Sequence, residues 1–194
     1  MKLCVFAGTF NPIHNAHLKM AQYVLDNFKF DKILFIPAHI PPHKCLKEDL
    51  SQHRFKMVQL AINDNSKFEI SDIEYKRNGK SYTYETIVEL YKQYKLDGKI
   101  NFIIGTDAFK QIESWYKSEK LKNLIDFIVF VRENEIVDLS DLRNKGYNFK
   151  FADMNFIDIS STDLRKRIKS NENIKEFVPK IVEEYINEYG LYKN

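Results

Sequence analysis

The sequence lacks several features that would place it in a special class of protein. Its 194 residues include two cysteines, which do not suggest a disulfide framework. No run approaches the ~18 apolar residues that a membrane span needs. No apolar signal segment follows the first lysine. We therefore expect a cytoplasmic protein that does not enter a membrane.

Strong charge of either sign is also missing. The 30 basic and 27 acidic residues give a formal net charge of +3, too even a balance to indicate nucleic-acid binding by itself. There is no internal repeat, low-complexity tract or linker, and the length suits one substantial core. We predict a single domain over residues 1–194, and the sequence leaves a homo-oligomer open.

Short apolar runs alternate with amphipathic segments along the chain. The runs predict strands over residues 3–6, 33–36, 68–70, 100–104, 127–131 and 149–151. Helical spacing of apolar residues predicts helices over residues 17–27, 54–63, 84–94, 118–124, 161–169 and 178–189. This alternation predicts an α/β fold with a doubly wound, mostly parallel sheet and a helical C-terminal region. In such a fold, ligands bind beyond the carboxyl ends of the strands.

The most informative segment directly follows the first predicted strand. It runs Gly8-Thr9-Phe10-Asn11-Pro12-Ile13-His14-Asn15-Ala16-His17. Gly8 permits a tight turn close to a ligand, and Pro12 suits the first turn of a helix. A helix beginning near Pro12 or Ile13 would place His14 and His17 on one face, over an N-terminus whose free N–H groups favour anions. We predict a phosphate site. The alternatives are two surface histidines or half of a metal site, and a zinc site would need a third ligand.

This segment resembles the G-T-F-(D/N)-P-x-H-x-G-H signature of the nucleotidyltransferase superfamily, in which two histidines bind a triphosphate. The resemblance implies that ATP is bound by Gly8, Thr9, Phe10, His14 and His17. Three residues depart from the usual pattern, in which Gly, Asp and Gly stand at the positions of Ala7, Asn11 and Ala16. We expect the Ala7 methyl group to be tolerated.

A second segment with chemical potential begins at Ser160. Ser160 can cap a helix, with Asp163 completing a capping box, or the hydroxyl groups and the Arg165 fork can bind phosphate. The segment is similar to the I-S-S-T-x-I-R motif of the same superfamily, with Leu164 replacing Ile. The resemblance implies that ATP is bound by Ser160, Ser161, Thr162 and Arg165.

Three further segments extend the resemblance. Gly105 and Asp107 lie in a strand end similar to the I-I-G-x-D element of nicotinate mononucleotide adenylyltransferases, which holds nucleotide. Trp115 is the only tryptophan, so it is either a core residue or, as the resemblance implies, a platform under a pyridine ring. Backbone amides bind the pyridine carboxylate in the family, which implies this role here for Thr83, Tyr84 and Tyr116.

The longest predicted loop, residues 38–49, is a candidate lid over the site. It contains Pro41-Pro42-His43-Lys44, which corresponds to the P-P-H-K loop of that family. The resemblance implies that His43 and Lys44 bind substrate and close over the reacting phosphates.

Taken in the order in which they occur along the chain, these segments resemble bacterial nicotinate-nucleotide adenylyltransferases. The resemblance implies transfer of the adenylyl group of ATP to nicotinate mononucleotide, with Mg²⁺ arriving on ATP and no dedicated metal site. The implied catalytic residues are His14, His17, Lys44 and Arg165. Three other functions stay open: a phosphopantetheine adenylyltransferase, which usually has Thr at the position of His14, a non-catalytic nucleotide sensor on the same fold, and a histidine-based metal hydrolase.

Overall fold

Six strands form one sheet in the computed structural model, which describes residues 1–42, 50–131, 137–154 and 159–193. The strands are β1 (Leu3–Gly8), β2 (Lys32–Pro37), β3 (Phe68–Ile70), β4 (Ile100–Gly105), β5 (Ile125–Phe130) and β6 (Phe149–Ala152). They lie in the order β3-β2-β1-β4-β5-β6, and all pairings of these described strands are parallel. The predicted doubly wound parallel sheet is confirmed, and so are its six apolar strands.

Both faces of the sheet are buried, as alternation along β1 shows. Cys4 and Phe6 belong to one hydrophobic cluster, whereas Leu3 and Val5 belong to another on the opposite face. Successive side chains of a strand point to opposite faces, so a strand covered on both sides needs apolar residues at every position. This explains why the central strand β1 is a continuous apolar run over residues 3–6.

Eight α-helices occur in the described parts of the chain. They are α1 (Asn15–Phe28), α2 (Ser51–Ile62), α3 (Thr83–Gln93), α4 (Thr106–Phe109), α5 (Ser118–Leu121), α6 (Ser140–Asn144), α7 (Ser161–Lys169) and α8 (Lys180–Glu188). Helices α1, α2, α7 and α8 cover the face of Cys4 and Phe6, and the other four cover the opposite face. The helices α4 and α6 were not predicted, because four or five residues are too few to show a helical period. None of the described helices is long and apolar enough to cross a membrane.

The start of α1 differs from the sequence prediction. The helix begins at Asn15, and His14 is its extended N-cap residue, with φ −147° and ψ 170°. Pro12 lies in the preceding turn, where the Asn11–Pro12 peptide bond is cis. The prediction that the helix begins near Pro12 or Ile13 is therefore wrong. The physical reason is local: the His17 ring accepts the backbone N–H of His14, which makes His14 the cap.

The strand order reverses between β1 and β4. The chain leaves β1 toward β2 on one side, whereas β4 is followed by β5 on the other side. Connections that diverge in this way leave a crevice beyond the carboxyl ends of the two strands. Gly8 and Gly105 end these strands. The fold therefore brings together the segment that begins at Gly8 and the segment that contains Gly105 and Asp107.

Candidate active site

Two cavities open at this crevice. The larger has a volume of about 600 Å³ and the smaller about 330 Å³. They share a wall formed by residues 6–9 and Gly105. A side chain added at Gly105 would meet no atom within 4 Å, so the backbone there is open to a ligand. One ligand could therefore lie across both cavities against this wall.

The larger cavity gathers the residues predicted to bind ATP. They come from four parts of the chain: the turn after β1, α1, the start of α4 and the start of α7. All eleven line the cavity: Gly8, Thr9, Phe10, His14, His17, Gly105, Asp107, Ser160, Ser161, Thr162 and Arg165.

The two histidine rings are in contact, with their planes tilted by 31°. The His14 backbone N–H donates to His17 Nδ1 at 3.2 Å, and the ring centroids are 3.7 Å apart. Because Nδ1 of His17 accepts this bond, a neutral His17 ring carries its proton on Nε2. The Nε2 edge of His17 is therefore a hydrogen-bond donor in a cavity suited to phosphate.

His14 has a different electrostatic environment from His17. Its side chain is only 5% exposed, and burial lowers its pKa from 6.5 to about 4. The ring is therefore neutral at pH 7. Its buried Nδ1 has no hydrogen-bond partner among the described residues. His14 is thus a polar, uncharged group with unused hydrogen-bonding capacity.

The backbone N–H groups at the start of α1 are less available than the sequence predicts. The N–H of His14 is bound to His17, and the N–H of Asn15 donates to Phe177 O at 2.7 Å. The prediction of free N–H groups is wrong for these two residues. The groups of this segment that remain suited to anion binding are therefore the dipole of α1 and the two imidazole rings.

The start of α7 has features of both a capped helix and a phosphate-binding segment, the two alternatives that the sequence left open. Ser160 Oγ accepts the Asp163 backbone N–H at 3.1 Å and also donates to the Asp163 carboxylate. The bond from Ser160 lowers the pKa of Asp163 below its usual range. Ser160 is therefore a helix cap that also lines the larger cavity.

Arg165 and Ser161 attach α7 to the turn after β1. Arg165 Nη1 donates to Asn11 O at 2.9 Å, and Nη2 donates to Thr162 Oγ1 at 3.2 Å. Ser161 Oγ donates to Pro12 O at 2.9 Å. The guanidinium group is thus oriented at the cavity wall by two hydrogen bonds.

Arg54 is a structural partner of the site that the sequence analysis missed. This α2 residue is fully buried, and its guanidinium group donates to Thr9 O at 2.8 Å, to Ala38 O and to His39 O at 3.0 Å. It joins the turn after β1 to the segment after β2. No local pattern marks it, because it occupies an ordinary position in an amphipathic segment.

The smaller cavity gathers three of the four described residues that were predicted to bind the second substrate. It is lined by Thr83, Trp115 and Tyr116, whereas Tyr84 does not line it and lies behind Tyr116, with ring centroids 6.3 Å apart. Thr83 and Tyr84 are the first residues of α3, where backbone N–H groups have no partner within the helix. This end of α3 is suited to an anionic group such as a carboxylate.

Trp115 fits both interpretations given to it. It packs partly against the core, with its ring edge-on to Phe102 at a centroid distance of 6.2 Å, and it also lines the smaller cavity. The core fixes one edge of the indole while another part borders the cavity. Such a ring is suited to stack on a flat ligand.

Glu74 is a second residue that the sequence analysis missed. It lines the smaller cavity but is only 4% exposed, and its carboxylate accepts from Thr86 Oγ1 at 2.7 Å. Burial raises the pKa of this carboxyl group. Glu74 therefore supports the start of α3 from behind.

Two predicted residues, His43 and Lys44, lie outside the described residues, as does most of the predicted lid. In the described ranges, no group of three His, Cys, Asp or Glu side chains is placed to hold a metal ion.

Comparisons with known proteins find relatives that match almost the whole chain. The family model described as cytidylyltransferase-like matches residues 5–167. A "Probable nicotinate-nucleotide adenylyltransferase" of Caldicellulosiruptor saccharolyticus is 41% identical, with full coverage of both chains. A protein of the same name from Staphylococcus epidermidis is 43% identical over 98% of this chain and 97% of its own.

A solved structure is also similar. Plasmodium falciparum nicotinic acid mononucleotide adenylyltransferase complexed with NaAD is 26% identical, with a TM-score of 0.81 over 98% of this chain and 97% of its own. The same protein complexed with APC gives a TM-score of 0.75 at 26% identity, over 98% of this chain and 96% of its own.

The buried His14 predicts an acid-dependent loss of stability. Its pKa is lower in the folded than in the unfolded protein, so protons bind preferentially to the unfolded state as pH falls from about 6.5 to about 4. We expect His14 to contribute a loss of about 3 kcal/mol over this range. Urea unfolding of wild type and His14→Gln between pH 7 and pH 4 measures this, and the variant should lose correspondingly less. Parallel pH curves would contradict the prediction.

Proposed function

The chain belongs to the nicotinate-nucleotide adenylyltransferases of the cytidylyltransferase-like family, and we propose that it transfers the adenylyl group of ATP to nicotinate mononucleotide. The products are deamido-NAD and pyrophosphate, and the reaction serves NAD biosynthesis. The observation that carries this proposal is the wall shared by the two cavities. A polar cavity suited to ATP and an aromatic cavity suited to a pyridine nucleotide meet along residues 6–9 and Gly105.

The reaction joins two phosphates. An oxygen of the mononucleotide phosphate attacks the α-phosphorus of ATP, the bond from that phosphorus to the α,β-bridging oxygen breaks, and pyrophosphate leaves. The attacking phosphate is already anionic, so no base has to remove a proton. The protein has to align the two phosphates and offset the charge that grows on the leaving group.

The larger cavity contains groups suited to the ATP side of this task. The oriented Arg165 guanidinium and the Nε2–H of His17 offset charge on the triphosphate. The neutral His14 acquires a phosphate oxygen as a hydrogen-bond partner. Gly105 lets the nucleotide lie on the backbone, and Asp107 accepts from ribose hydroxyl groups. His43 and Lys44 complete the phosphate contacts in this proposal.

Mg²⁺ is proposed to enter as part of the ATP substrate. The described residues supply no cluster of ligands for a resident ion, and Mg²⁺ is commonly held by substrate phosphates and water. The oligomeric state and the cytoplasmic location stay predictions of the sequence.

The smaller cavity contains groups suited to nicotinate mononucleotide. Trp115 stacks on the pyridine ring, and the backbone N–H groups of Thr83, Tyr84 and Tyr116 bind its carboxylate. Charge-assisted bonds of this kind favour a carboxylate over a neutral amide.

One assay tests the function directly. Pyrophosphate release is measured with ATP and, in turn, nicotinate mononucleotide, nicotinamide mononucleotide and phosphopantetheine. Preference for the first supports the proposal. Preference for phosphopantetheine would replace it with that transferase activity, and ATP binding without turnover on any acceptor would indicate a sensor.

Removal of the His17 ring should slow the chemical step. Loss of one preorganised donor to developing charge typically lowers turnover by about 10²–10³-fold. We expect His17→Ala to lower kcat by this amount, and to lower the melting temperature by only a few degrees through loss of the bond between the His14 N–H and the ring. His53→Ala is the matched control, because His53 contacts Tyr185 and lines neither described cavity. Wild-type turnover in His17→Ala would refute the assignment.

Replacement of Arg165 by lysine should weaken the use of ATP. Lysine keeps the charge but cannot reproduce the planar fork that binds Asn11 O and Thr162 together. We expect Arg165→Lys to lower kcat/KM for ATP by about 10- to 100-fold. Arg167→Lys on the same helix is the control, because Arg167 pairs with Glu172 and stacks on Phe177. Equal ATP kinetics in both variants would show that Arg165 has no role at the phosphates.

The acceptor cavity should discriminate by charge and not by stacking. One bond to a charged group is worth about 1.5–3 kcal/mol, so kcat/KM for nicotinate mononucleotide should exceed that for nicotinamide mononucleotide by about 10- to 100-fold. Trp115→Ala should weaken the binding of both acceptors. The ratio of their kcat/KM values should stay largely intact, because stacking does not distinguish a carboxylate from an amide. A ratio that collapses in the variant would assign the selectivity to the indole ring.

A further inference from the structure

Tyr192 is held in an unusual conformation beside the larger cavity. Its φ is +67°, in the left-handed region, which costs a residue other than glycine roughly 1–2 kcal/mol. Its phenol donates to Asn11 Oδ1 at 2.6 Å across 181 positions of sequence. Non-glycine residues persist in such conformations where the surroundings fix them, often next to functional groups.

The segment around Tyr192 is anchored independently of this hydrogen bond. Leu191 is 6% exposed and belongs to the same hydrophobic cluster as α1 and α2, and its N–H donates to Ile186 O at 3.0 Å. The phenol is therefore not needed to hold the segment in place. Removing its oxygen should leave the fold intact.

The partner of the phenol lies at a critical position. Asn11 is 8% exposed and lines the larger cavity, and its backbone oxygen accepts from Arg165. Its side chain is bound by Tyr192 and its main chain by Arg165. The orientation of the Arg165 guanidinium therefore depends on where the Asn11 residue is held.

The phenol is suited to a permanent donor role. Burial raises the pKa of Tyr192 well above its usual range, against the smaller opposite influence of Arg54 and Arg165. The phenol therefore keeps its proton throughout the neutral range and can donate to either an amide or a carboxylate oxygen at position 11.

We propose that Tyr192 is a positioning residue for the ATP site, acting through Asn11 to orient Arg165. This inference rests on the proposed function for its kinetic consequences. The larger cavity contains Asn11 and Arg165, and the described lining of the smaller cavity contains neither. The effect of Tyr192 is therefore specific to ATP.

Tyr192→Phe tests this proposal, because it removes only the hydroxyl group. One hydrogen bond between uncharged groups corresponds to a factor of about 2–10. We expect Tyr192→Phe to weaken ATP binding by this factor and to lower kcat/KM for ATP to the same extent. The KM for nicotinate mononucleotide should be unchanged. Tyr189→Phe is the matched control, since Tyr189 is 52% exposed and its ring packs against those of His53 and Tyr185, away from both cavities. Its ATP parameters should equal those of the wild type.

Variants at position 11 identify the route of the effect. Asn11→Asp keeps an acceptor for the phenol and should retain tighter ATP binding than Asn11→Ala. Tyr192→Phe should add little in the Asn11→Ala background, because the interaction is already lost there. Full additivity of the two substitutions would overturn the proposal.

Calorimetric titration of ATP without acceptor separates this inference from the proposed function. If the wild type binds ATP but transfers no adenylyl group, the proposed function fails while the affinity of Tyr192→Phe still decides the role of Tyr192. ATP affinity equal to that of the wild type would overturn the positioning role. Equally weakened binding of both substrates by Tyr192→Phe, together with a lowered melting temperature, would also overturn the proposal and would indicate a structural role.

Discussion

The buried guanidinium group of Arg54 constrains the geometry of both cavities. A cation removed from water is costly unless hydrogen bonds replace its hydration. In this protein the carbonyl groups of Thr9, Ala38 and His39 turn toward it. These residues follow the ends of β1 and β2, so satisfying one buried charge fixes the relative position of two loops. The first of these loops contributes Thr9 to the wall shared by the cavities.

Two histidines that look equivalent in the sequence have separate properties in the fold. His14 is buried and neutral, with a pKa of about 4. His17 has its tautomer set by the backbone N–H of His14, which directs a proton to Nε2. The capping arrangement that moves the start of α1 to Asn15 therefore also prepares His17 as a donor. Local helix geometry and phosphate chemistry are coupled in one short segment.

Local patterns in the sequence predict most of the sheet, whereas the motifs that line the cavities were identified by their resemblance to a known family. The central strands are recognisable because burial on both faces favours uninterrupted apolar residues, as in residues 33–36. The start of α1 could not be predicted, because the favourable position of Pro12 in a first turn competes with the hydrogen bond that the His14 N–H donates to the His17 ring. Three other residues could not be identified from the sequence for a different reason: Arg54, Glu74 and Tyr192. Each acts on a residue distant in sequence, and no local spacing reports such a contact.

The link between Tyr192 and Asn11 has a consequence for biosynthesis of the protein. A chain emerging from the ribosome exposes the turn at Asn11 first, and its partners at positions 161, 165 and 192 follow much later. Protein chains are synthesised at about 5–20 residues per second, and domains can fold during synthesis. During that interval the turn exists without the side chains that orient it. The wall of the larger cavity around Asn11 is therefore completed only after residue 192 has been added to the chain.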